Sequence, residues 1–233
     1  MNTDKPAPKP TKDGFDTLYS PAYQQTFHSI HGALTESNHI YLEGTGVKAR
    51  LAQQKPTRIL EVGFGTGLNF FLTAERSLDT QTPLYYVALE KELLSTEILV
   101  GLNHTKQLPA ITPLYDAFLA WRSQLTTPLA EGHYQWSFET IDLQLMIGDA
   151  TQATILAEPY HAIYHDAFSP DANPELWTPD FFAKVYAGLL PGGKLATYSV
   201  KGTVRRALQT VGFHVEKQPG PPGKREIVVA TKG

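Results

Sequence analysis

The segment that most constrains the fold is ILEVGFGTGLN, at residues 59–69. Its first residues are apolar and partly β-branched, as is typical of a buried strand, and the residues from Leu68 onward favour a helix. Between them stand glycines at alternate positions, Gly63, Gly65 and Gly67. Glycine adopts positive φ and, because it has no Cβ, lets a ligand approach the backbone. The segment therefore predicts a strand, a tight turn and a helix start around a bound ligand.

The spacing of these glycines argues against a pyrophosphate-binding site. A dinucleotide fingerprint has the form G-x-G-x-x-G, but the position of its third glycine is occupied here by Leu68. The chain also lacks a G-x-x-x-x-G-K-[ST] phosphate loop. A nucleoside ligand without a pyrophosphate fits better, and S-adenosyl-L-methionine (SAM) is the leading candidate. A glycine-rich turn is also common as a purely structural element, so this hypothesis depends on further residues.

Composition excludes several classes of protein. The 233 residues are 42% hydrophobic, which suits one large globular domain with a sizeable core. The sequence has no long apolar run, no signal peptide and no cysteine, and its histidines lack metal-ligand spacing. We therefore expect a cytoplasmic protein without a membrane partner or a metal. The net charge of −3 gives no global sign of nucleic-acid binding, which would need a local patch.

The hydrophobic pattern predicts an α/β fold. We expect strands at 57–66 (including the turn), 84–90, 141–147, 160–165, 194–200, 214–218 and 226–231. We expect helices at 68–74, 92–102, 115–125, 150–157, 178–190 and 204–211, and a loop-rich insertion at 126–138. Alternating strands and helices followed by two closing strands indicate a mostly parallel seven-stranded sheet with a C-terminal antiparallel hairpin.

Acidic residues follow three of the predicted parallel strands, where ligands bind in open α/β sheets. Glu90 ends the second strand and suits the two ribose hydroxyls of a nucleoside, although it could also pair with Lys91 on the surface. Asp149 follows the third strand and suits the exocyclic amine of adenine. Its alternative role is the N-cap of the helix expected at 150–157.

Asp166 carries the strongest chemical signal. It ends the fourth strand within IYHDAFSPDANPELW, residues 163–177, among prolines and aromatic residues that suit a flat substrate. A carboxylate beside apolar walls can take a proton from an amine or orient its lone pair. The alternative is a structural aspartate that caps a turn. Phe168, two positions further on, offers an aromatic ring on which such a flat substrate could stack.

A basic cluster appears late in a chain that is negatively charged overall. Lys201, Arg205 and Arg206 follow the fifth strand, and Lys224 and Arg225 follow the PGPPG loop. These five residues could form a phosphate-contacting rim. A solvated helix face would also account for the two neighbouring arginines.

Several motifs together resemble the methyltransferase domain of MnmC-type tRNA-modification enzymes. The likeness rests on ILEVGFGTGLNF, ALEK, GDA, HDAFSPDANPELW, PGGKLATYS, VRRALQTVGF and GPPGKREIVVA. The resemblance implies a Rossmann-like class I SAM methyltransferase. It also implies N-methylation of 5-aminomethyl-2-thiouridine at the tRNA wobble position, with Asp166 at the reacting amine. We expect a disordered tail at 1–12, an extension over the cleft at 13–57 and the methyltransferase domain at 58–233.

The same resemblance completes the expected site. The expected SAM-binding residues are Glu61, Gly63, Phe64, Gly65, Thr66, Gly67, Asn69, Glu90, Lys91, Gly148, Asp149 and Asp166. The expected substrate- and RNA-binding residues are Phe168, Pro170, Lys201, Arg205, Arg206, Lys224 and Arg225.

Bifunctional members of this family carry a flavin oxidase module after the methyltransferase, whereas this sequence ends at Gly233. The chain thus resembles the stand-alone members, and we expect tRNA as its partner and an upstream enzyme as the source of the aminomethyl group. Two alternatives remain open: a small-amine transferase similar to the aminopropyltransferases, and a non-catalytic RNA-binding protein with the SAM fold. The sequence leaves the oligomeric state open.

Overall fold

The structure is a computed structural model that describes residues 7–155 and 159–233. Its strands are β1 (Ala7–Pro10), β2 (Asp16–Ser20), β3 (Gln25–Thr26), β4 (Thr57–Val62), β5 (Leu84–Glu90), β6 (Gly132–Phe138), β7 (Ile141–Ile147), β8 (Tyr160–His165), β9 (Leu189–Thr197), β10 (Phe213–Pro219) and β11 (Glu226–Lys232). Its α-helices are α1 (Ala33–Ser37), α2 (Val47–Ala52), α3 (Leu68–Asp79), α4 (Thr96–Val100), α5 (His104–Gln107), α6 (Thr112–Ser123), α7 (Pro179–Gly188) and α8 (Gly202–Val211). A π-helical segment spans Asn38–Glu43, and 3₁₀ turns span Pro109–Ile111 and Pro174–Trp177.

The main sheet confirms the predicted fold class. Its strand order is β10-β11-β9-β8-β4-β5-β7-β6. The inner pairs β9–β8, β8–β4, β4–β5 and β5–β7 are parallel, and β10 and β11 form the predicted antiparallel hairpin. The sheet has eight strands, one more than we expected.

The additional strand is β6, and it corrects the prediction of a loop-rich insertion over 126–138. It pairs antiparallel with β7 at the edge of the sheet. Tyr134, Trp136 and Phe138 alternate with polar residues, and Trp136 packs edge-on against Phe118, with ring centroids 5.5 Å apart. This period of two is the signal for a half-buried strand, but glycine and polar residues between the aromatics obscure it.

Other predicted boundaries also change. The helix expected over 92–102 is confined to α4, whose N-cap Ser95 accepts a hydrogen bond from the Ile98 N–H. Residues 150–155 contain a turn in place of the expected helix, and residues 156–158 lie outside the described part of the chain. The fifth parallel-sheet strand, β9, begins five residues earlier than the expected start at 194, at Leu189.

The N-terminal extension is ordered where it is described. The prediction of a disordered tail over 1–12 is wrong for Ala7–Pro10, which pairs antiparallel with β2, and residues 1–6 lie outside the described part. Strands β1, β2 and β3 form a small second sheet that the sequence analysis did not anticipate.

The central strand β4 places the glycine turn in the middle of the molecule. Ile59 packs in one core cluster, which includes Phe15 and Ile40 of the extension. Leu60 and Val62 pack in a second cluster on the opposite face of the sheet. Because both faces of β4 are covered, ligands reach it at its carboxyl end. Among residues 7–155 and 159–233, no helix is long and apolar enough for a membrane crossing.

Candidate active site

A cavity of about 970 Å³ opens at the carboxyl ends of β4, β5, β7 and β8. The sheet side of its wall carries Gly63, Phe64, Gly65, Glu90, Lys91, Gly148, Asp149, Asp166 and Phe168, as the sequence analysis expected. The opposite side comes from the extension, with Tyr23, Gln25, Phe27, Glu36 and Tyr41 among the lining residues. This volume lies at the upper end of the range for small-molecule sites. Residues of the extension therefore form part of the cavity wall.

Two glycines of the turn have conformations that a side chain would disturb. Gly63 has φ +91°, and a Cβ there would lie 2.8 Å from the carbonyl oxygen of Asp166. Gly65 has φ +54°, and its Cβ would lie 3.0 Å from the Phe27 ring of the extension. The turn therefore brings bare backbone to the cavity wall, as the glycine spacing predicts.

Glu90 is hydrogen-bonded to this turn. Its Oε2 accepts a hydrogen bond from the Gly65 N–H at 2.9 Å, and its Oε1 accepts one from the Glu92 N–H at 3.0 Å. Burial raises the pKa of Glu90 above its ordinary value, against the lowering effect of these backbone donors. The backbone of Lys91 and Phe64 also donates to Glu90, so the carboxylate is fixed in the cavity wall.

Asp149 occupies a turn. Its Oδ1 accepts hydrogen bonds from the N–H and the hydroxyl of Thr151, both at 2.8 Å. These bonds lower the pKa of Asp149 and keep it ionised. The expected helix cap is replaced by this local turn, which holds an exposed carboxylate at the cavity wall.

Asp166 is held by one hydrogen bond on each oxygen. The Tyr41 hydroxyl donates to Oδ1 at 2.5 Å, and the Asn69 amide donates to Oδ2 at 2.8 Å. Burial raises the pKa of Asp166 to about 7, although both donors oppose this shift and the carboxylate of Glu36 adds to it. A carboxyl group that titrates near neutral pH is suited to general-base chemistry.

Glu61 and Asn69, expected as SAM ligands, lie beneath the cavity wall. Their side chains are 0% and 2% exposed, and neither lines the cavity. The Asn69 amide donates to Glu61 Oε1 and to Asp166 Oδ2, both at 2.8 Å. Burial raises the pKa of Glu61 well above its ordinary value. The structure places this pair where it orients the carboxylate of Asp166.

Two further expected SAM residues do not line the cavity. Thr66 is fully buried, and Gly67 is the N-cap of α3. A Cβ on Gly67 would lie 2.9 Å from the Phe71 ring. The ring of Phe64, whose residue does line the cavity, packs in the core against Phe70. These residues support the glycine turn from the side that faces the core.

The extension contacts the loop that follows β8 through a ring stack and two hydrogen bonds. Tyr23 stacks on Phe168 with ring centroids 4.2 Å apart. The side-chain amide of Gln25 donates from Nε2 to the Ser169 hydroxyl at 2.7 Å, and the Ser169 backbone N–H donates to the side-chain oxygen Oε1 of Gln25 at 3.2 Å. A base stacks on this face of Phe168 only after Tyr23 moves aside. Pro170 does not line the cavity.

The expected basic rim is divided between two places. Lys224 lies in the cavity wall, where its Nζ is 2.5 Å from Glu36 Oε1 and 4.6 Å from the Tyr198 ring centroid. Lys201 pairs with Asp171 outside the cavity. Arg205, Arg206 and Arg225 also lie outside it. Glu36 and Tyr198 hold Lys224 in the cavity wall, whereas the other four lie outside it, and the role of all five in binding RNA stays a prediction.

The sequence analysis missed the residues that the extension contributes. Glu36 and Tyr41 have no motif around them, and Tyr41 is 125 positions from its partner Asp166. No local pattern could have connected them. Within residues 7–155 and 159–233, no three His, Asp or Glu side chains form a group that could hold a metal ion.

Comparison with known proteins decides the family. Residues 116–233 match the family described as S-adenosyl-L-methionine-dependent methyltransferase. The chain belongs to this family. The match confirms SAM as the cofactor, which was the leading candidate for the glycine turn, and the methyltransferase class that the family resemblance implies.

The curated proteins similar to this chain include MnmC proteins from two Cupriavidus species. The bifunctional protein MnmC of tRNA 5-methylaminomethyl-2-thiouridine biosynthesis from Cupriavidus necator is 36% identical over 91% of this chain and 32% of its own length. Its counterpart from Cupriavidus metallidurans is 37% identical over 92% of this chain and 32% of its own length. The chain therefore spans about a third of the length of these curated relatives. These matches confirm the resemblance to MnmC-type methyltransferase domains.

Solved structures agree with this assignment. MNMC2 from Aquifex aeolicus superposes with a TM-score of 0.80 at 28% identity, covering 99% of this chain and 71% of that one. Spermidine synthase from Thermotoga maritima gives a TM-score of 0.51 at 14% identity, covering 94% of this chain and 69% of that one. The second likeness shows a shared methyltransferase-type fold alone.

The methyltransferase cavity fits SAM chemically. Gly63 and Gly65 bring backbone without side chains to the cavity wall, and the turn holds the carboxylate of Glu90, a hydrogen-bond acceptor, in the same wall. Asp149 holds an exposed carboxylate at the same wall. These three features suit the backbone approach, ribose and adenine amine of a nucleoside cofactor.

Proposed function

We propose that this methyltransferase transfers a methyl group from SAM to the aminomethyl nitrogen of 5-aminomethyl-2-thiouridine at the wobble position of tRNA. The observation that carries the proposal is Asp166, a half-buried carboxyl group in the wall of the cavity that is held by Tyr41 and Asn69 and has a pKa of about 7. The MnmC relatives, whose printed names describe biosynthesis of the methylated nucleoside, support the same substrate.

The chemistry assigns Asp166 to the acceptor amine. When bound, SAM supplies a methyl group already activated by its sulfonium sulfur. A primary alkylamine is mostly protonated at neutral pH, so its nitrogen must lose a proton before its lone pair is available. The carboxylate of Asp166 accepts this proton, and the nitrogen forms the new N–C bond as the C–S bond breaks. The sulfur keeps the electron pair of the broken bond.

The surrounding residues fix the direction of this carboxylate. Tyr41 and Asn69 each hold one oxygen of Asp166, so the carboxylate keeps one orientation without any rearrangement during the reaction. Each oxygen still has a lone pair for an amine donor. Gly63, Gly65, Glu90 and Asp149 form the cofactor side in this proposal. The reaction also needs a substrate that already carries a primary amine, so an amine-forming reaction on the nucleoside must precede it.

The decisive experiment identifies the methylated nucleoside. The protein is incubated with methyl-labelled SAM and tRNA bearing 5-aminomethyl-2-thiouridine, and the nucleosides are separated by mass after digestion. We expect one added methyl group on that nucleoside and none on tRNA lacking it. A parallel incubation with putrescine and decarboxylated SAM tests the aminopropyltransferase alternative. Product from putrescine, with unmodified tRNA, would overturn the proposal.

The arginines outside the cavity are assigned to the tRNA backbone. Changing Arg205, Arg206 and Arg225 together to Ala is expected to raise KM for tRNA and leave SAM affinity unchanged, because the three do not line the cavity. The slope of log binding constant against log salt should fall by about 0.7–0.9 for each lost phosphate contact. Lys217→Ala is the matched control, since Lys217 already pairs with Glu226 at 2.7 Å. An unchanged salt slope in the triple variant would place the RNA surface elsewhere.

A further inference from the structure

The cavity wall contains a charged pair for which methyl transfer has no need. Glu36 and Lys224 form an ion pair at 2.5 Å, and their side chains are 13% and 27% exposed. Withdrawing two charges from water is costly, so such a pair is weak evidence for stability. Because both residues line the cavity, a ligand that contacts them is the more direct reason for their position.

Glu36 and Tyr41 reach the cavity from either side of the junction between α1 and a π-helical segment. In a regular α-helix, residues five positions apart point about 140° away from each other. Here the chain passes from α1 into the π-helical segment Asn38–Glu43, which has the wider i→i+5 hydrogen-bonding pattern. Glu36 in α1 and Tyr41 in the π-helical segment both line the cavity, and Tyr41 contacts Asp166 directly.

Lys224 lies in the same cavity wall as Asp166 and Glu36. Its Nζ contacts Glu36 and lies over the Tyr198 ring, whose hydroxyl donates to the Ala167 carbonyl at 2.9 Å. Ala167 directly follows Asp166, and the charges of Glu36 and Lys224 both act on the pKa of Asp166. The wall thus presents two acceptors, Asp166 and Glu36, and one donor, Lys224.

This set of two acceptors and one donor matches the groups along one edge of a uracil ring that carries an aminomethyl group. Around the ring, the C5 aminomethyl group is followed by the C4 carbonyl and then by the N3–H, which gives a donor, an acceptor and a donor. Lys224 has N–H donors beyond the one in its ion pair, and the Glu36 oxygens have lone pairs to spare. We propose that Lys224 and Glu36 form a recognition site for the O4 and N3–H of the 5-aminomethyl pyrimidine.

The site selects uracil against cytosine. Cytosine presents an amino group at C4, which would face the ammonium group of Lys224, and an acceptor nitrogen at N3, which would face the carboxylate of Glu36. Both contacts are repulsive, and repulsion of this kind is an effective source of specificity. The inference rests on the proposed function, since it takes the amine bound at Asp166 as its reference point.

The test compares two substrates on one set of proteins. Anticodon stem-loop RNAs carrying 5-aminomethyluridine or 5-aminomethylcytidine at the wobble position are methylated by the full chain, and the ratio of their kcat/KM values is measured. For the unaltered protein we expect a preference for uridine of about 100-fold or more. Glu36→Gln and Lys224→Met should each reduce this preference at least about tenfold. Lys224→Arg, which keeps a charged donor, should retain most of it.

Controls separate recognition from folding. Glu226→Gln removes a carboxylate from an exposed ion pair on the β10–β11 hairpin and should leave the preference unchanged. Melting temperature and SAM affinity are measured for every variant, because the Glu36–Lys224 pair also joins the extension to the hairpin loop.

The outcomes are distinguishable. If the unaltered protein methylates neither RNA, the proposed function fails and this inference fails with it. If it methylates both equally well, the proposed function stands and the inference is overturned, whatever the variants do. A preference for uridine that persists in folded Glu36→Gln and Lys224→Met would overturn it equally.

Discussion

Replacing Asp166 with Asn is expected to lower kcat about 10²-fold or more, the range for a lost acid–base group. The amide keeps the shape of the side chain but cannot take the proton from the acceptor amine. Affinities for SAM and tRNA should change little, because the interaction matters chiefly in the transition state. Asp171→Asn is the matched control: it neutralises an acid of the same loop that pairs with Lys201 outside the cavity.

The pH profile gives an independent check on this role. The unprotonated carboxylate is the active form, and burial raises its pKa to about 7. The rate at saturating substrates should therefore rise as the pH increases through 7 and level off above it. Asp166→Asn should lack this rising limb. Near-normal kcat in the Asn variant would make Asp166 a structural residue, and a large loss of SAM binding would make it a cofactor ligand.

Gly65→Val is expected to weaken SAM binding at least about 100-fold while the fold persists. At φ +54° a branched side chain is strained, and its Cβ would meet the Phe27 ring at 3.0 Å across the cavity wall. Isothermal calorimetry measures the affinity, and circular dichroism checks the fold.

Gly192→Val separates backbone strain from loss of the cofactor site. Gly192 also has positive φ, at +74°, but nothing lies within 4 Å of its Cβ position and it does not line the cavity. The Gly192→Val variant should have similar backbone strain and keep full SAM affinity. If the Gly65→Val protein is folded and binds SAM with unchanged affinity, the turn is not part of the cofactor site.

The part of the site that could be predicted lies at strand ends. Strand periodicity and glycine spacing are local signals, and parallel strands bring their carboxyl ends to one edge of the sheet. Those two rules were sufficient to place Gly63, Glu90, Asp149 and Asp166 around a single cavity.

The expectation that Glu61 contacts SAM stays a prediction, and its position behind the cavity wall was not visible in the sequence. On β4 it alternates with Leu60 and Val62, so the sequence indicates that it points to the opposite face of the sheet. Which face is sealed, however, depends on what packs there. The extension and α3 cover the face that holds Glu61, and its carboxyl group is therefore excluded from the cavity.

The contribution of the extension was beyond prediction from one sequence. Tyr23, Gln25 and Tyr41 lie in segments without strong periodicity, and their functional positions depend on tertiary contacts. Propensity and pattern describe neighbours along the chain. Contacts between the extension and the loop after β8 follow from packing alone.

The set of contacts between the extension and the rest of the molecule also affects the order in which parts of the protein fold. Its hydrogen bonds join residues 125, 144 and 188 positions apart, in the pairs Tyr41–Asp166, Gln25–Ser169 and Glu36–Lys224. Contacts of such long sequence separation carry a high entropic cost of loop closure and form late in folding. On the ribosome, the sheet strands β4 to β8 are available before Lys224 has been synthesised. A nascent chain therefore remains unable to close its own cavity until translation has passed that residue.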